Sequence, residues 1–221
     1  MNITREKMNY DLVIVGAGPS GLSAAINFKN HCKKNNKDFS VCVVEKGSEV
    51  GAHILSGAIL EPRALDELIE NWKDIDDCPV KVPVKRESLK FLTETKSYNI
   101  PSILTPPVMH NKGNFIISLG AFCKWLSQQA ENLGVEIYPG FAASELIIED
   151  NKLTGIITGD LGIEKNGSQG SNFQPGIEIH SKFTLFAEGC RGHLGKKLVN
   201  KFNLRENAQH QTYGIGLKEL W

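Results

Sequence analysis

A chain of 221 residues in which 25 Lys and Arg balance 25 Asp and Glu has zero formal net charge and a pI near 7, which argues against nucleic-acid binding. No run of 18 apolar residues is present, so no segment reads as a membrane-spanning helix, and the length is enough for one substantial core. Cys32, Cys42, Cys78, Cys123 and Cys190 stand ten or more residues apart, which suits neither a disulfide framework nor a metal or iron–sulfur ligand set and fits a reducing compartment.

The opening "MNITREKMNY" lacks the apolar segment of a signal peptide and is too short for a transit peptide. "DLVIV" (11–15) is a continuous apolar run rich in branched residues, the pattern of a buried parallel strand. "PSGLSAAINFKNHC" reads as a helix, "NNKD" breaks it, and "SVCVVE" (40–45) is a second buried strand, giving a βαβ unit. At its first turn, "GAGPSG" sets Gly16, Gly18 and Gly21 in the G-x-G-x-x-G spacing, between strand and helix as dinucleotide binding requires. Gly16 permits the tight turn, Gly18 lets the backbone approach a pyrophosphate, and Gly21 lets helix and strand pack closely. Free N–H groups and the positive dipole end at the helix start then face the phosphates, and Pro19 costs little in that first turn. Glu45, 24 residues past Gly21, can accept from ribose hydroxyls and would repel a 2′-phosphate, which argues against NADP.

The stretch "VGAHILSGAILEPRALDELIENW" (50–72) opens with glycines and a lone histidine, then turns into a helix pattern. Pro62 suits a first helical position, and Leu65, Leu68, Ile69 and Trp72 recur at helical spacing. Residues 73–117, rich in Pro and Lys and weak in periodicity, read as an excursion. "LGAFCKWLSQQAENLG" (119–134) is an amphipathic helix closed by Gly134. "VEIY", "ASELIIE" and "LTGIIT" read as a three-run meander with a turn at "DNK", 160–176 as a loop, and "KFTLFAEG" (182–189) as a returning strand. The end, "YGIGLKELW", reads as a stop in mid-fold.

"EKGSEVGA" resembles the E-K-x-x-x-x-G-G pattern of glutathione-reductase-type flavoproteins, with Ala52 in place of the second glycine. With the excursion and meander order, that resemblance favours FAD over NAD. More specifically, "VIVGAGPSGLSAA", "VEKGSEVGAHILSGAIL", "GNFIISLGAFCKWLSQQAENLGVEIYPGFAASE", "LFAEGCRGHLGKKL" and "QTYGIGLKELW" resemble electron-transfer flavoprotein–ubiquinone oxidoreductase, from about residue 9 to the end. The resemblance implies an α/β, Rossmann-like FAD-binding domain of the glutathione-reductase type, with a β-meander and an inserted membrane- and quinone-side excursion. It implies an oxidoreductase that relays electrons from reduced electron-transfer flavoprotein to ubiquinone at the membrane surface. Family members hold FAD and one [4Fe–4S] cluster, whose cysteines lie near their C-terminus, so the cluster is expected only beyond this chain, which reads as an N-terminal fragment.

Carried over residue by residue, the FAD stretch falls on Ile14, Gly16, Ala17, Gly18, Pro19, Ser20 and Gly21, with Glu45 on the ribose and Lys46 beside it. Gly51, His53 and Gly57 of "GAHILSGA" are expected near the isoalloxazine or the pyrophosphate. His53 reads as a structural hydrogen bonder, since electron relay through a flavin needs no acid or base. Ala142 and Ala143 fall where this fold passes the adenine, and Glu188 and Gly189 close the set; no catalytic or metal-ligating residue is expected. "AEGCRGHLGKKL" departs from the A-D-G-x-x-S-x-x-R segment of NADPH-dependent hydroxylases at Glu188, Gly192 and Gly195, as suits reduction by a protein partner. Arg191, Lys196 and Lys197 read as partner contacts or a solvated helix start.

The expected division is 9–60 for the βαβ unit and flavin-proximal loop, 61–117 for the excursion, and 118–221 for the return of the FAD domain. The resemblance also implies monotopic attachment through about residues 50–72, on the cytoplasmic face of a bacterial inner membrane or the matrix face of a mitochondrial one. Two rivals remain: a geranylgeranyl-reductase- or hydroxylase-type flavoenzyme using NAD(P)H, and a non-catalytic FAD-binding remnant.

Overall fold

A computed structural model describes residues 4–216, so the last five residues of "QTYGIGLKELW" lie outside the described residues. β1 (Lys7–Val15) and β2 (Val41–Glu45) run parallel, with Leu12–Val15 opposite Val41–Val44. Val13, Ile14, Val41, Cys42, Val43 and Val44 are all at most 1% exposed, so both faces of these strands are covered. That is why their sequence is continuously apolar rather than alternating. α1 (Pro19–Lys34) connects them, with His31, Lys33 and Lys34 in its last turn, where the helix dipole favours positive charge.

The excursion is more structured than its weak periodicity suggests. β3 (Gly57–Leu60) leads into α2 (Arg63–Leu68), β4 (Val82–Pro83), a hairpin of β5 (Leu89–Leu92) and β6 (Ser97–Ile100), and β7 (Phe115–Ser118). β7 lies between β3 and β4 in a three-stranded antiparallel sheet. These strands are two to four residues long, too short for an alternation to register in the sequence. α3 (Leu119–Asn132) starts where the Ser118 hydroxyl accepts from the Ala121 N–H and ends ahead of Gly134 at φ +81°, the left-handed closure expected there.

β8 (Val135–Pro139) corrects the three-run meander: it joins β2 in parallel, Val41 opposite Val135, and extends the nucleotide-binding half of the sheet. Of the three runs, the second and third, β9 (Ala143–Glu149) and β10 (Lys152–Thr158), form a hairpin, turning through Asp150 and Asn151, both at positive φ. The 160–176 loop is also corrected. It contains the hairpin of β11 (Leu161–Ile163) and β12 (Gln169–Gln174), whose exposed polar composition masks its pairing. β13 (Glu178–Phe186) returns beside β1, and α4 (His193–Lys201) follows.

The main sheet has the order β8-β2-β1-β13-β10-β9, parallel from β8 to β13 and antiparallel beyond. Alternate residues feed two cores on its two faces. Ile14, Val41 and Val43 pack with Leu22, Ile26, Phe122 and Leu126 of α1 and α3, while Val13, Val15, Cys42 and Val44 pack with Ile156 of β10 and Leu194 of α4.

The stripe at 62–72 belongs to the first core, which corrects its reading as a membrane contact. α2 ends at Leu68; Leu65 is 3% and Trp72 2% exposed, and Leu68 and Ile69 pack against the same core. The Trp72 ring meets Phe115 edge-on at 5.6 Å, and its indole N–H donates to Asp66 Oδ1 at 2.7 Å. The acids of this stretch therefore include a partner for a buried indole, which satisfies the one polar group Trp72 brings inside. Among the described residues no helix is long and apolar enough to cross a membrane.

Candidate functional site

The C-terminal ends of β1, β2 and β13 meet where the strand order turns back on itself, the place at which open α/β sheets bind ligands. Gly16 N–H donates to Val44 O and Ala187 N–H to Val15 O, each at 2.8 Å, so the glycine turn is stitched to both neighbouring strands. The three glycines of the motif then separate by cause. Gly16 sits at φ +107°, and a Cβ there would lie 2.5 Å from Ala187 O; one on Gly21 would lie 2.0 Å from Gly16 O. Gly18, the residue ahead of α1, has φ −78° and nothing within 4 Å of its would-be Cβ. Gly16 and Gly21 are demanded by the protein itself. Gly18 faces open space beside the first turn of α1, where a pyrophosphate has access to free N–H groups.

Glu45 reaches across this turn. Its Oε2 accepts from Ala17 N–H at 2.9 Å and its Oε1 from Gly47 N–H at 2.8 Å. Each carboxylate oxygen has a second lone pair, so the group can brace two loops and still receive ribose hydroxyls. Ile14 is buried beneath the turn, Ser20 and Lys46 are exposed at its rim, and Pro19 is half-buried.

The loop after β2 is held by backbone contacts that no motif announces. Gly47 O accepts from Gly140 N–H at 2.7 Å, linking this loop to the turn after β8. Gly51, at φ +89°, approaches Gly120 so closely that a Cβ on it would lie 2.7 Å from Gly120 O. Gly57 packs on Ile117 O, 3.0 Å from where its Cβ would stand. Gly120 and Gly140 belong to no motif of the sequence; only the recurrence of glycines near predicted element ends hints at them. His53 is exposed and makes no hydrogen bond to another described residue. Ala142 is exposed with its carbonyl accepting from Gly159 N–H at 2.8 Å, and Ala143 pairs with Thr158.

Glu188 turns out to cap a helix. Its Oε1 accepts from the N–H groups of His193 and Leu194, both at 3.1 Å, and its Oε2 from Gly195 N–H at 2.7 Å. These are the first, otherwise unsatisfied donors of α4, whose preceding residue, Gly192, has no side chain to offer. A Cβ on Gly192 would lie 2.7 Å from Glu188 Cβ, and one on Gly195 3.3 Å from Glu188 Oε2. The departures at 188, 192 and 195 are thus one structural unit: a longer acid folded over a helix start, with two glycines making room. Glu188→Ala should cost about 1–2 kcal/mol in urea unfolding, the range for losing a helix cap. An unchanged midpoint would remove the capping role.

Gly189, next to this acid, adopts φ +77°. Arg191 lies over the Tyr213 ring at 5.2 Å, Lys197 Nζ donates to Ser144 O at 3.3 Å, and Lys196 is exposed. Burial holds the Cys42 thiol up at about 12 and Cys123 at about 11, so both stay protonated and inert at neutral pH. Among the described residues no group of three or more His, Cys, Asp or Glu side chains could hold a metal ion.

Comparison with known proteins agrees with this geometry. The NAD(P)-binding Rossmann-like domain family matches residues 14–76. "Probable electron transfer flavoprotein-ubiquinone oxidoreductase" of Acinetobacter baylyi is 58% identical over 224 aligned positions, covering 100% of this chain and 39% of that relative. The chain matches the N-terminal part of this family. The mitochondrial electron transfer flavoprotein-ubiquinone oxidoreductases of Oryza sativa and Bos taurus are 52% and 50% identical, over 98% and 100% of the chain. The chain spans only 37% and 36% of their lengths. Among solved structures, a geranylgeranyl bacteriochlorophyll reductase-like protein of Thermoplasma acidophilum aligns with a TM-score of 0.57 at 18% identity, over 82% of this chain and 39% of that one. A myxobacterial chondrochloren halogenase, described as FAD-dependent, aligns with a TM-score of 0.55 at 16% identity, over 83% of this chain and 38% of that one. These two support the fold.

Proposed function

We propose that this chain forms the adenosine-side half of an FAD site in an electron transfer flavoprotein-ubiquinone oxidoreductase. The carrying observation is Gly18: it stands directly ahead of α1, and an added Cβ there would meet nothing within 4 Å among the described residues. The residues fit the cofactor. The turn from Gly16 to Gly21 faces the pyrophosphate, Glu45 the ribose, and Ala142 and Ala143 the adenine; Glu188 and Gly189 form the opposite wall. Gly51, His53 and Gly57 lie on the flavin-proximal loop and Lys46 at its rim. Bound FAD supplies a redox centre that accepts and releases electrons; the protein's part is to orient it and set its electrostatics.

The relay runs from reduced electron transfer flavoprotein to ubiquinone, with the [4Fe–4S] centre belonging to the family's remaining length. The division at 9–60, 61–117 and 118–221 then separates nucleotide binding, membrane approach and closure of the fold. Attachment is peripheral, on the cytoplasmic face of a bacterial inner membrane or the matrix face of a mitochondrial one. With Leu65 and Trp72 in the core, the better membrane contact is the loop holding Ile103, Leu104 and Val108, which are 90%, 72% and 91% exposed. Asn111 N–H donates to Glu87 at 2.8 Å and His110 Nδ1 lies 3.2 Å from it, bracing the end of that loop. Those bonds, the Asn111 one foremost, lower the Glu87 pKa.

The NAD(P)H-dependent rival is tested directly. In anaerobic stopped-flow mixing, reduced electron transfer flavoprotein should bleach the bound flavin, whereas NADH and NADPH should not on the same timescale. Rapid bleaching by either nucleotide would move the chain to the reductase and hydroxylase class.

A further inference from the structure

The loop between β6 and β7 is tied down by a histidine whose neighbours decide how many protons it carries. His110 Nδ1 lies 3.2 Å from Glu87 Oε1, and Nε2 lies 3.2 Å from the Thr105 hydroxyl oxygen. That hydroxyl has already placed its proton, donating it to Ser102 O at 2.6 Å. Thr105 Oγ1 can therefore only accept from the ring. Glu87 is acceptor-only as well: the Asn111 N–H at 2.8 Å from Oε2, with the help of His110 and the Asn111 side chain, lowers its pKa and keeps it a carboxylate. Two acceptors, one at each ring nitrogen, are satisfied together by an imidazolium, because neutral imidazole carries a single N–H. From the segment ahead of β5 the ring faces Glu87, and from its own loop Thr105. Arg86 and Lys112, nearby along the chain, form no ion pair among the described residues.

We propose that His110 is a pH-operated latch on this loop, which carries the exposed Ile103, Leu104 and Val108. The ring joins Glu87, ahead of the β5–β6 hairpin, to Thr105, beyond it, so the latch closes a span that holds the whole hairpin. Histidine changes charge between about pH 5 and 8. When the ring loses a proton, the N–H facing the carboxylate is the one kept, since an ionised acceptor makes the stronger bond. Nε2 then turns a lone pair on the lone pairs of Thr105 Oγ1. Either that contact opens, or the hydroxyl swings its proton from Ser102 O to Nε2 and the turn at Ser102 loses a bond. The loop loosens as pH rises, while the bond from Asn111 N–H to Glu87 remains. Protonation thereby sets how firmly the apolar side chains are presented. This deepens the membrane reading of the loop, and the use of the presented surface rests on that reading; the latch itself rests on the hydrogen bonds.

Amide hydrogen exchange of the full chain at about pH 6 and about pH 8, corrected for intrinsic rates, tests the latch. Protection across Ser102–Asn111 should be about threefold greater at the lower pH, the scale of an exposed charged contact. His110→Gln keeps a side-chain donor without a titrating proton, and should remove that difference. Nitrogen NMR of the imidazole should show protons on both ring nitrogens at the lower pH and on Nδ1 alone at the higher. Equal protection at the two pH values, a difference that survives His110→Gln, or a neutral ring at the lower pH overturns the proposal. Liposome flotation of variants at Ile103 and Val108 reads the membrane contact separately, so failure of one reading leaves the other standing.

Discussion

Gly18→Val should leave the protein folded and without flavin, whereas Gly21→Ala should cost it the fold. The two residues belong to one motif and stand three positions apart, yet they answer to different constraints. At Gly18 the backbone is at φ −78° and no atom lies within 4 Å of an added Cβ. A valine there points its methyl groups into the space before α1, and melting should shift by no more than about 0.5 kcal/mol, as for a surface change. The pyrophosphate loses its approach. At Gly21 an added Cβ stands 2.0 Å from Gly16 O, so α1 must be pushed off β1. Strain of this kind should cost about 3 kcal/mol or more, even though alanine is the better helix former. Circular dichroism melting and the flavin-to-protein ratio after purification read both. Wild-type flavin content in Gly18→Val would remove the nucleotide assignment; a normally stable Gly21→Ala would remove the packing argument.

The second expectation separates core from membrane contact. Trp72→Ala should destabilise by about 3–5 kcal/mol, since it empties a site 2% exposed against Phe115. Ile103→Asp with Val108→Asp should leave melting unchanged, because those side chains are 90% and 91% exposed, and should abolish flotation with liposomes. If the double variant floats as wild type does, the membrane-facing surface lies elsewhere. If Trp72→Ala melts normally, the helical stripe is not core.

The βαβ unit was legible because three signals coincide within about forty residues: continuous apolar strands, a glycine turn between strand and helix, and Glu45 at the second strand's end. The helix at 119–134 was equally plain from its spacing and closing glycine. What failed did so for physical reasons. "VEIY" looks the same whether its neighbour is parallel β2 or an antiparallel hairpin partner, since burial sets the composition and topology does not. Leu65 and Trp72 have the spacing of any amphipathic helix, and which environment takes the apolar side depends on Phe115 and Ile117, about fifty residues on. The site's motif residues were visible, but its bracing was not. Gly47 to Gly140 and Gly51 to Gly120 are backbone contacts, and backbone contacts leave no mark except a glycine. Glu188 was marked as a departure from a pattern; its work as a helix cap needed the positions of three N–H groups.

Glu188, Gly192 and Gly195 also restrict how this segment can change over evolutionary time. A serine at 192 would bring its Cβ to 2.7 Å from Glu188 Cβ while the glutamate remains, and shortening the acid first would withdraw it from N–H groups it now satisfies. Either first step is disfavoured on its own, and only the combined change restores a satisfied helix start. The positions are coupled through the Glu188 side chain, so a chain with this arrangement does not reach an aspartate–serine form through one neutral substitution at a time.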